Sequence, residues 1–504
     1  MDRRDFLKKC AVAAGGFALS GCAVATEGLV LSNKALKSRI GAKRPNIIFI
    51  MADDLGYGDL SCYGATKVST PNIDRIAEEG MRFTDAHTPS AVCSPTRYGV
   101  LTGRYCWRTR LKSGVCLPND PLLIDTKRMT VASLLKSVGY TTGCVGKWHL
   151  GFGERGPDWN GELKPGPLEI GFDYYFGVPV SNNWPPFVYV ENHHVVGRLQ
   201  GETITVIGTG KDQPIPPKRN PEKLALVQTD KAIKFIERSK DEPFFLYLAP
   251  CNVHEPHTPN EKFKNTSEAG TYGDFIKELD WTVNEVTKTL DRLNLTDNTL
   301  LIVTSDNGAI TAGTSADYIA KPENSTGLEY GHRPNGLLRG QKADIWEGGH
   351  RVPFISRWPG RIKAGTISDE LICLTDFMAT CAAIVGKILP DNAGEDSYNI
   401  LPALLGEKLN KPIREAIVHH SAAGMFAIRQ GPWKLIPRRG SGGFTKPIRY
   451  KPKPGEPAGQ LYNMANDLSE TNNLWSQHPK IVKRLTKLLG RYRKEGRSRP
   501  LRGK

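Results

Sequence analysis

The sequence predicts an α/β fold: one large, mixed, mostly parallel sheet flanked by helices, followed by a small C-terminal α+β subdomain. Three observations carry that prediction. From Pro45 onward, apolar β-rich runs alternate with helical patterns, the order expected when helices cross between parallel strands. After roughly Lys408 the texture changes to short strand-like pieces separated by Gly/Pro turns. The composition, 39% hydrophobic and 24% charged over 504 residues, is that of a globular chain with room for two or three domains. It excludes a disordered tail protein, a coiled coil and a multi-span membrane protein.

Residues 1–22 read as an address. Arg3-Arg4 ahead of the apolar stretch Cys10–Leu19 resembles a twin-arginine export signal, with Asp2 where Ser or Thr is usual. The stretch is too short to span a bilayer, which takes about 20 residues. Leu19-Ser20-Gly21-Cys22 resembles a bacterial lipobox, implying a lipid anchor on Cys22 at the periplasmic side of the cell envelope; a cleaved signal without lipid is the alternative. Residues 23–44 read as a tether.

The fold then builds up in order. Asn46–Met51 is an apolar run suited to a buried strand, and Thr130 to Val138 reads as a helix feeding a strand around Tyr140 to Val145. Leu224 to Ser239 is an amphipathic helix leading to the strand Phe244 to Leu248; Tyr272 to Leu293 is a long helix leading to the strand Thr299 to Thr304. These lie within residues 45–408, read as a catalytic domain. Residues 409–504 carry strand-like pieces at Ala416–His419, Met425–Arg429 and Trp433–Ile436, then a helix at Pro479–Tyr492 with Ile481, Val482, Leu485, Leu488 and Leu489 on one face. Arg438 to Pro457 is a basic loop, and the basic run from Arg491 reads as a solvated, partly disordered terminus.

Lys+Arg total 68 against 52 Asp+Glu, a net charge of +16; removing residues 1–21, with four basic and two acidic residues, leaves +14. Such an excess favours polyanionic partners: anionic lipid, or sulfated and phosphorylated substrates. No groove-reading motif or aromatic-basic repeat supports nucleic acid. Of ten cysteines, Cys10 and Cys22 fall in the address; the remaining eight show no CxxC pair and no zinc spacing.

In an open α/β sheet, functional groups gather past the carboxyl ends of strands. Three predicted strands run into polar residues there: Asp53-Asp54, Ser305-Asp306-Asn307-Gly308, and His254-Glu255-Pro256-His257. Each alone reads first as a turn. Together the Asp and Asn side chains make an all-oxygen set suited to Ca²⁺ or Mg²⁺. The segment that decides between these readings is Cys93-Ser94-Pro95-Thr96-Arg97, continued by Leu101-Thr102-Gly103-Arg104.

Cys-x-Pro-x-Arg with that continuation resembles the signature of type I sulfatases, in which the cysteine is oxidised to Cα-formylglycine. Gly146-Lys147-Trp148-His149 resembles the second signature, Val253-His254 the catalytic-histidine segment, and Lys342 the late active-site lysine. Leu461-Tyr462-Asn463 with Asp467 and Glu470 fits the C-terminal segment, except that Leu468 replaces the usual Pro. The resemblance spans residues 45–474 and implies an alkaline-phosphatase-like sheet and hydrolysis of a sulfate ester. It also implies Ca²⁺ held by Asp53, Asp54, Asp306, Asn307 and the modified Cys93. Lys147 and Lys342 would screen sulfuryl charge, Arg97 would hold the hydrate, His254 would protonate the leaving oxygen and His149 would take the proton that triggers elimination.

A basic chain with an envelope address points to a sulfated carbohydrate as substrate. The implied protein partner is a formylglycine-generating enzyme acting on the unfolded chain before export. A phosphatase, phosphodiesterase or phosphonate hydrolase of the same superfamily is one alternative; a lipoprotein that binds sulfated glycans without cleaving them is another. His257 stands between substrate contact and plain loop. Trp184-Pro-Pro-Phe187 reads first as a hydrophobic loop, and His193, His194, His350, His419 and His420 as structural or exposed.

Overall fold

The computed structural model describes residues 43–199, 201–206, 219–311 and 324–501; the address and nearly all of the tether lie outside these. The central strands are β1 (Asn46–Ala52), β4 (Thr141–Lys147), β5 (Tyr174–Val178), β8 (Phe244–Ala249) and β9 (Thr299–Ser305). In space they run β9-β1-β8-β4-β5, all parallel. Every residue of β1, β8 and β9 is buried, as a parallel sheet covered on both faces requires. Short strands complete a ten-stranded sheet: β2 (Met81–Phe83), β10 (Phe354–Arg357) and β11 (Thr366–Ser368) at one edge, β6 (Val190–Glu191) and β7 (His194–Val195) at the other. β10 and β6 enter antiparallel, which makes the sheet mixed. β3 (Ala86–His87) and β12 (Ile372–Cys373) form a separate parallel pair.

Seven helices matter for the site: α1 (Pro71–Glu78), α2 (Cys93–Thr102), α3 (Val131–Lys136), α4 (Leu224–Ser239), α5 (Gly270–Arg292), α6 (Phe377–Ile384) and α7 (Pro479–Glu495). Thr130 caps α3 by accepting from the Ser133 N–H. Alternation along β1 assigns the faces. Ile48 and Ile50 join Phe235 of α4 and Ile276, Leu279 and Val283 of α5 in one core. Phe49 points the other way, with its ring 4.4 Å from that of Phe377 in α6. Burying such side chains contributes about 1.5–3 kcal/mol each.

The C-terminal sheet is antiparallel, β13 (Ile417–His420), β14 (Phe426–Gln430), β15 (Trp433–Ile436) and β16 (Gln460–Asn463). It packs against Leu485, Leu488, Leu489 and Tyr492 of α7, and Tyr105 and Trp107 join the same cluster. The terminus departs from expectation. Rather than being solvated, residues 497–499 dock: Ser498 N–H donates to Asp396 at 2.9 Å, and the Arg499 guanidinium donates to the carbonyls of Pro390, Ala393 and Gly394. The cause is a run of carbonyls on residues 390–394 that accept from the Arg497 and Arg499 guanidiniums, with the Asp396 carboxylate fixing the backbone between them.

Candidate active site

Parallel pairing of β1 and β9 sets Ala52 opposite Ser305, so Asp53-Asp54 and Asp306-Asn307 leave the sheet side by side. They are stitched together at once. Asp54 N–H donates to Asp306 Oδ1 at 3.2 Å, and Asn307 Nδ2 donates to Asp54 Oδ1 at 2.7 Å. Asp54 turns the chain with φ 63°, a left-handed conformation that aspartate tolerates better than most residues. Gly308 is required by crowding: a Cβ there would lie 1.8 Å from the Gly348 carbonyl oxygen.

Cys93 is the first residue of α2, after Val92 in extended conformation, and its Sγ lies 3.6 Å from Asp53 Oδ1. All ten residues of α2 are buried, and its positive end faces the cluster. Arg97, one turn on, reaches Asp306 Oδ2 at 2.5 Å and Asp53 Oδ1 at 3.5 Å. Lys147 ends β4 and grips both Asp53 oxygens at 2.8 and 2.7 Å. Lys342, from a loop, holds Asp54 Oδ2 at 2.6 Å, and His254 Nε2 lies 3.7 Å from that same oxygen. Nine of the ten residues singled out in the sequence thus come together although Asp54 and Lys342, in direct contact, lie 288 positions apart.

Charge and burial tune each group. Burial would raise the Asp53 carboxyl, but Lys147, His254 and Arg97 hold it below the usual carboxylate range. Burial pulls the Lys147 and Lys342 ammoniums down, and Asp53 and Asp54 respectively overcome it. Burial pushes the Cys93 thiol well up, with Asp306 adding to it, so as encoded this sulfur is no thiolate. His254 is pushed down to about 4 by burial, against the pull of Glu255. Its Nδ1 donates to the Glu255 carbonyl at 2.6 Å, which leaves Nε2 facing the cluster.

His149, the tenth, joins by electrostatics: burial, then Lys147 and Arg97, hold it neutral. Its Nε2 donates to the Cys116 carbonyl at 3.0 Å, and the buried Nδ1 keeps its lone pair unshared. A neutral imidazole with a fixed tautomer and one open lone pair is a proton acceptor.

The donor set fits a hard divalent cation. Two carboxylates, a thiol and an imidazole, on Asp53, Asp54, Cys93 and His254, lie within 4.8 Å of one another. The Asn307 amide spends its N–H groups on Asp54 and the Gly308 carbonyl, and its buried oxygen has no partner. Carboxylate and amide oxygens suit Ca²⁺; the imidazole of His254 does not.

Two orienting groups escaped the sequence: the Cys116 carbonyl, a backbone atom without any side-chain signal, and Glu255, present in the motif but unassigned. His257, open between two readings, lines a small cavity with Asp54, Glu255 and Tyr272, and its Nδ1 has no partner. Beside Trp184, Asn183 donates to Glu255 Oε1 at 3.1 Å and Asn182 to the Pro256 carbonyl at 3.2 Å, so that loop braces the histidine turn.

The other histidines stay away. His193 pairs with Glu169 at 2.9 Å, and His194 is exposed. His87, His350 and His419 form a second buried cluster with Lys434, Arg351, Arg429, Asp85, Glu347 and Glu470. The rings of His350 and His419 stack 3.7 Å apart at 10°, so their in-plane lone pairs run parallel and cannot meet on one metal ion. All eight described cysteines are free thiols.

A family model described as Sulfatase matches residues 45–387. The chain belongs to the sulfatase family. It is a sulfuric ester hydrolase. The sulfatase is 41% identical over 488 residues to an N-acetylgalactosamine-6-O-sulfatase of Bacteroides thetaiotaomicron, covering 89% of this chain and 93% of the relative. Human arylsulfatase A is 33% identical over 407 residues, covering 78% and 75%. A solved structure from work on the metabolism of multiple glycosaminoglycans by Bacteroides thetaiotaomicron superposes with TM-score 0.81 at 40% identity, covering 89% of this chain and 99% of that one. A phosphonate monoester hydrolase of Agrobacterium radiobacter, 18% identical with TM-score 0.58, shares the fold.

Proposed function

We propose that this sulfatase removes the 6-O-sulfate of N-acetylgalactosamine in a sulfated glycan, through a formylglycine hydrate at position 93 and a bound Ca²⁺. The substrate rests on one observation, 41% identity along 93% of a relative named for that specificity. The chemistry rests on the cluster around Cys93. Its address is the periplasmic side of the envelope, carried by Arg3-Arg4 and Cys22, after modification in the cytoplasm.

Sulfate-ester cleavage needs a nucleophile, charge neutralisation on the sulfuryl oxygens and a proton for the leaving oxygen. Thiol sulfur would be trapped as a thiosulfate, whereas a hydrated aldehyde offers two hydroxyls on one carbon. One forms the new O–S bond as the sugar oxygen departs; the second then loses its proton, the C=O re-forms, and the bond from carbon to the sulfated oxygen breaks to release sulfate. Ca²⁺ between Asp53, Asp54, Asp306 and Asn307 would supply charge that screens the sulfuryl group and acidifies the attacking hydroxyl.

The protein's own groups do the rest. Lys147, Lys342 and the N-terminus of α2 meet the sulfuryl charge from separate directions. Arg97 fixes position 93 against Asp53 and Asp306. His254 presents Nε2 to the leaving oxygen, and the anionic substrate raises its proton affinity from the depressed value in the protein alone. His149 takes the second hydroxyl's proton on its open Nδ1.

The test is protein co-expressed with a formylglycine-generating enzyme. Mass spectrometry of the peptide holding Cys93 should show a loss of about 18 mass units, CH₂SH becoming CHO. That protein should cleave N-acetylgalactosamine 6-sulfate about 10²-fold faster than the 4-sulfate. A thiol retained at Cys93, or faster turnover of a phosphonate monoester, overturns the reading.

A further inference from the structure

A groove of about 780 Å³ opens between the loop following α2, the turn at Gly424 and the C-terminal half of α7. Arg104, Arg108, Lys112, Arg493 and Lys494 line it, and no carboxylate does. Two of these cations are anchored from behind. Arg108 donates to both Asp396 oxygens at 2.8 Å, and Arg104 Nε sits 3.2 Å from Glu395. Lys112, Arg493 and Lys494 are exposed and make no ion pair among the described residues.

The walls are aromatic. Arg108 lies over Trp107 at 4.1 Å and Arg493 over Phe426 at 4.8 Å, while the two rings meet edge to face at 5.2 Å. Lys112 is steadied by the Trp107 carbonyl at 2.8 Å. Guanidiniums backed by rings are held in place, so an incoming anion orders little new. A recess of this kind suits a chain that alternates anionic groups with apolar ring faces, and is the wrong shape for a flat bilayer.

The groove is also close to the cleavage site. Lys112 is four residues from Cys116, whose carbonyl orients His149, so at most about 14 Å of extended chain separates them. The Gly114 N–H donates to the Ala422 carbonyl at 2.8 Å, which fastens the connecting loop to the same turn that closes the groove.

We propose that this groove is a second binding site for a sulfated glycan, holding a part of the chain remote from the sulfate being cleaved. The identity of the ligand rests on the glycan reading above; the groove's charge does not. Tethering one part of a polymer raises the effective concentration of the rest at the catalytic cluster. The groove therefore lowers KM for long chains and leaves monosaccharide turnover alone.

The experiment separates binding from cleavage by using the Cys93→Ala protein, which turns nothing over. Its Kd for chondroitin 6-sulfate chains is measured with and without Lys112→Ser, Arg493→Ser and Lys494→Ser together, alongside desulfated chondroitin. The triple change should weaken binding about 10²-fold and flatten the salt dependence, with the melting temperature unchanged. Lys494→Glu alone, at an exposed helix position, should weaken it about tenfold. Unchanged affinity in both variants overturns the proposal, as does loss of binding to phosphatidylserine vesicles with none to the glycan. Glycan affinity lost in the variants while the Cys93-intact enzyme fails on N-acetylgalactosamine 6-sulfate would leave the groove standing and the substrate assignment fallen.

Discussion

Around Cys93, three carboxylates (Asp53, Asp54, Asp306) face three cations (Arg97, Lys147, Lys342); around Lys434, three carboxylates (Asp85, Glu347, Glu470) face another three (Arg351, Arg429, Lys434). Both clusters are buried and both include histidines. They differ in where the groups come from. The first is assembled from strand ends, a helix start and a loop, and it keeps open the Asn307 oxygen and the His149 Nδ1. The second takes two of its cations, Arg429 and Lys434, from within β14 and β15 and sets them against Asp85, Glu347 and Glu470 at turns and a helix start. Lys434 in β15 spans Glu347 at 3.0 Å and Glu470 at 2.9 Å, and Arg429 in β14 takes both oxygens of Asp85. Charge balance alone does not mark a reactive centre. Nor does an unspent lone pair, since His419 Nε2 in the second cluster has no partner either; what marks the first is a set of oxygen ligands converging from strand ends.

Four changes probe that contrast. The largest effect belongs to Cys93→Ala, which should lower kcat/KM on the order of 10⁴-fold or more while the melting temperature holds. A comparable fall in stability would mean that the cysteine serves packing instead. Next is His254→Ala, with a loss of about 10²–10⁴-fold on a sugar sulfate that shrinks on an aryl sulfate whose phenol leaves unaided. Equal losses on the two substrates would remove the general-acid role.

In the second cluster the effects move from rate to stability. Lys434→Met strands Glu347 and Glu470 in the interior and should cost about 3–5 kcal/mol in urea unfolding. The smallest is a pH effect. Burial, with Lys434 opposing and Glu347 adding to it, pushes Glu470 up to about 7 from the ordinary glutamate value of 4.5. Between those values the native state keeps a proton that the unfolded chain has lost, so stability falls as pH rises through the window. Glu470→Gln stays neutral and should lack that fall, gaining up to about 3 kcal/mol on wild type between pH 4.5 and pH 8. Parallel stability curves for the two proteins would refute the assignment.

The same contrast explains what could be read from the chain. The strands β1, β8 and β9 and the helices α4 and α5 were legible because long apolar runs and 3.6-residue periods survive in sequence. The pairs β3, β6, β7 and β12 have two residues each, too few to show any period. Helix α2 is buried on every side, so it lacks the apolar stripe that announces a helix, and its motif was found by chemistry instead. Reactive groups were visible because they cluster in short segments at strand ends. The Lys434 cluster was not, since Asp85, Glu347, Lys434 and Glu470 are each ordinary alone and meet only after folding.

Cys93 is 2% exposed and sits inside a helix with no accessible residue. If position 93 is oxidised to formylglycine as proposed, the modifying enzyme would have no path to the side chain once α2 has docked, and modification and folding would race. Each molecule would then commit once: chains modified before collapse would become active, and chains that collapse first would be locked out for as long as they stay folded. Specific activity then records the outcome of a kinetic partition, and conditions that delay docking of α2 should raise the active fraction without altering the folded product.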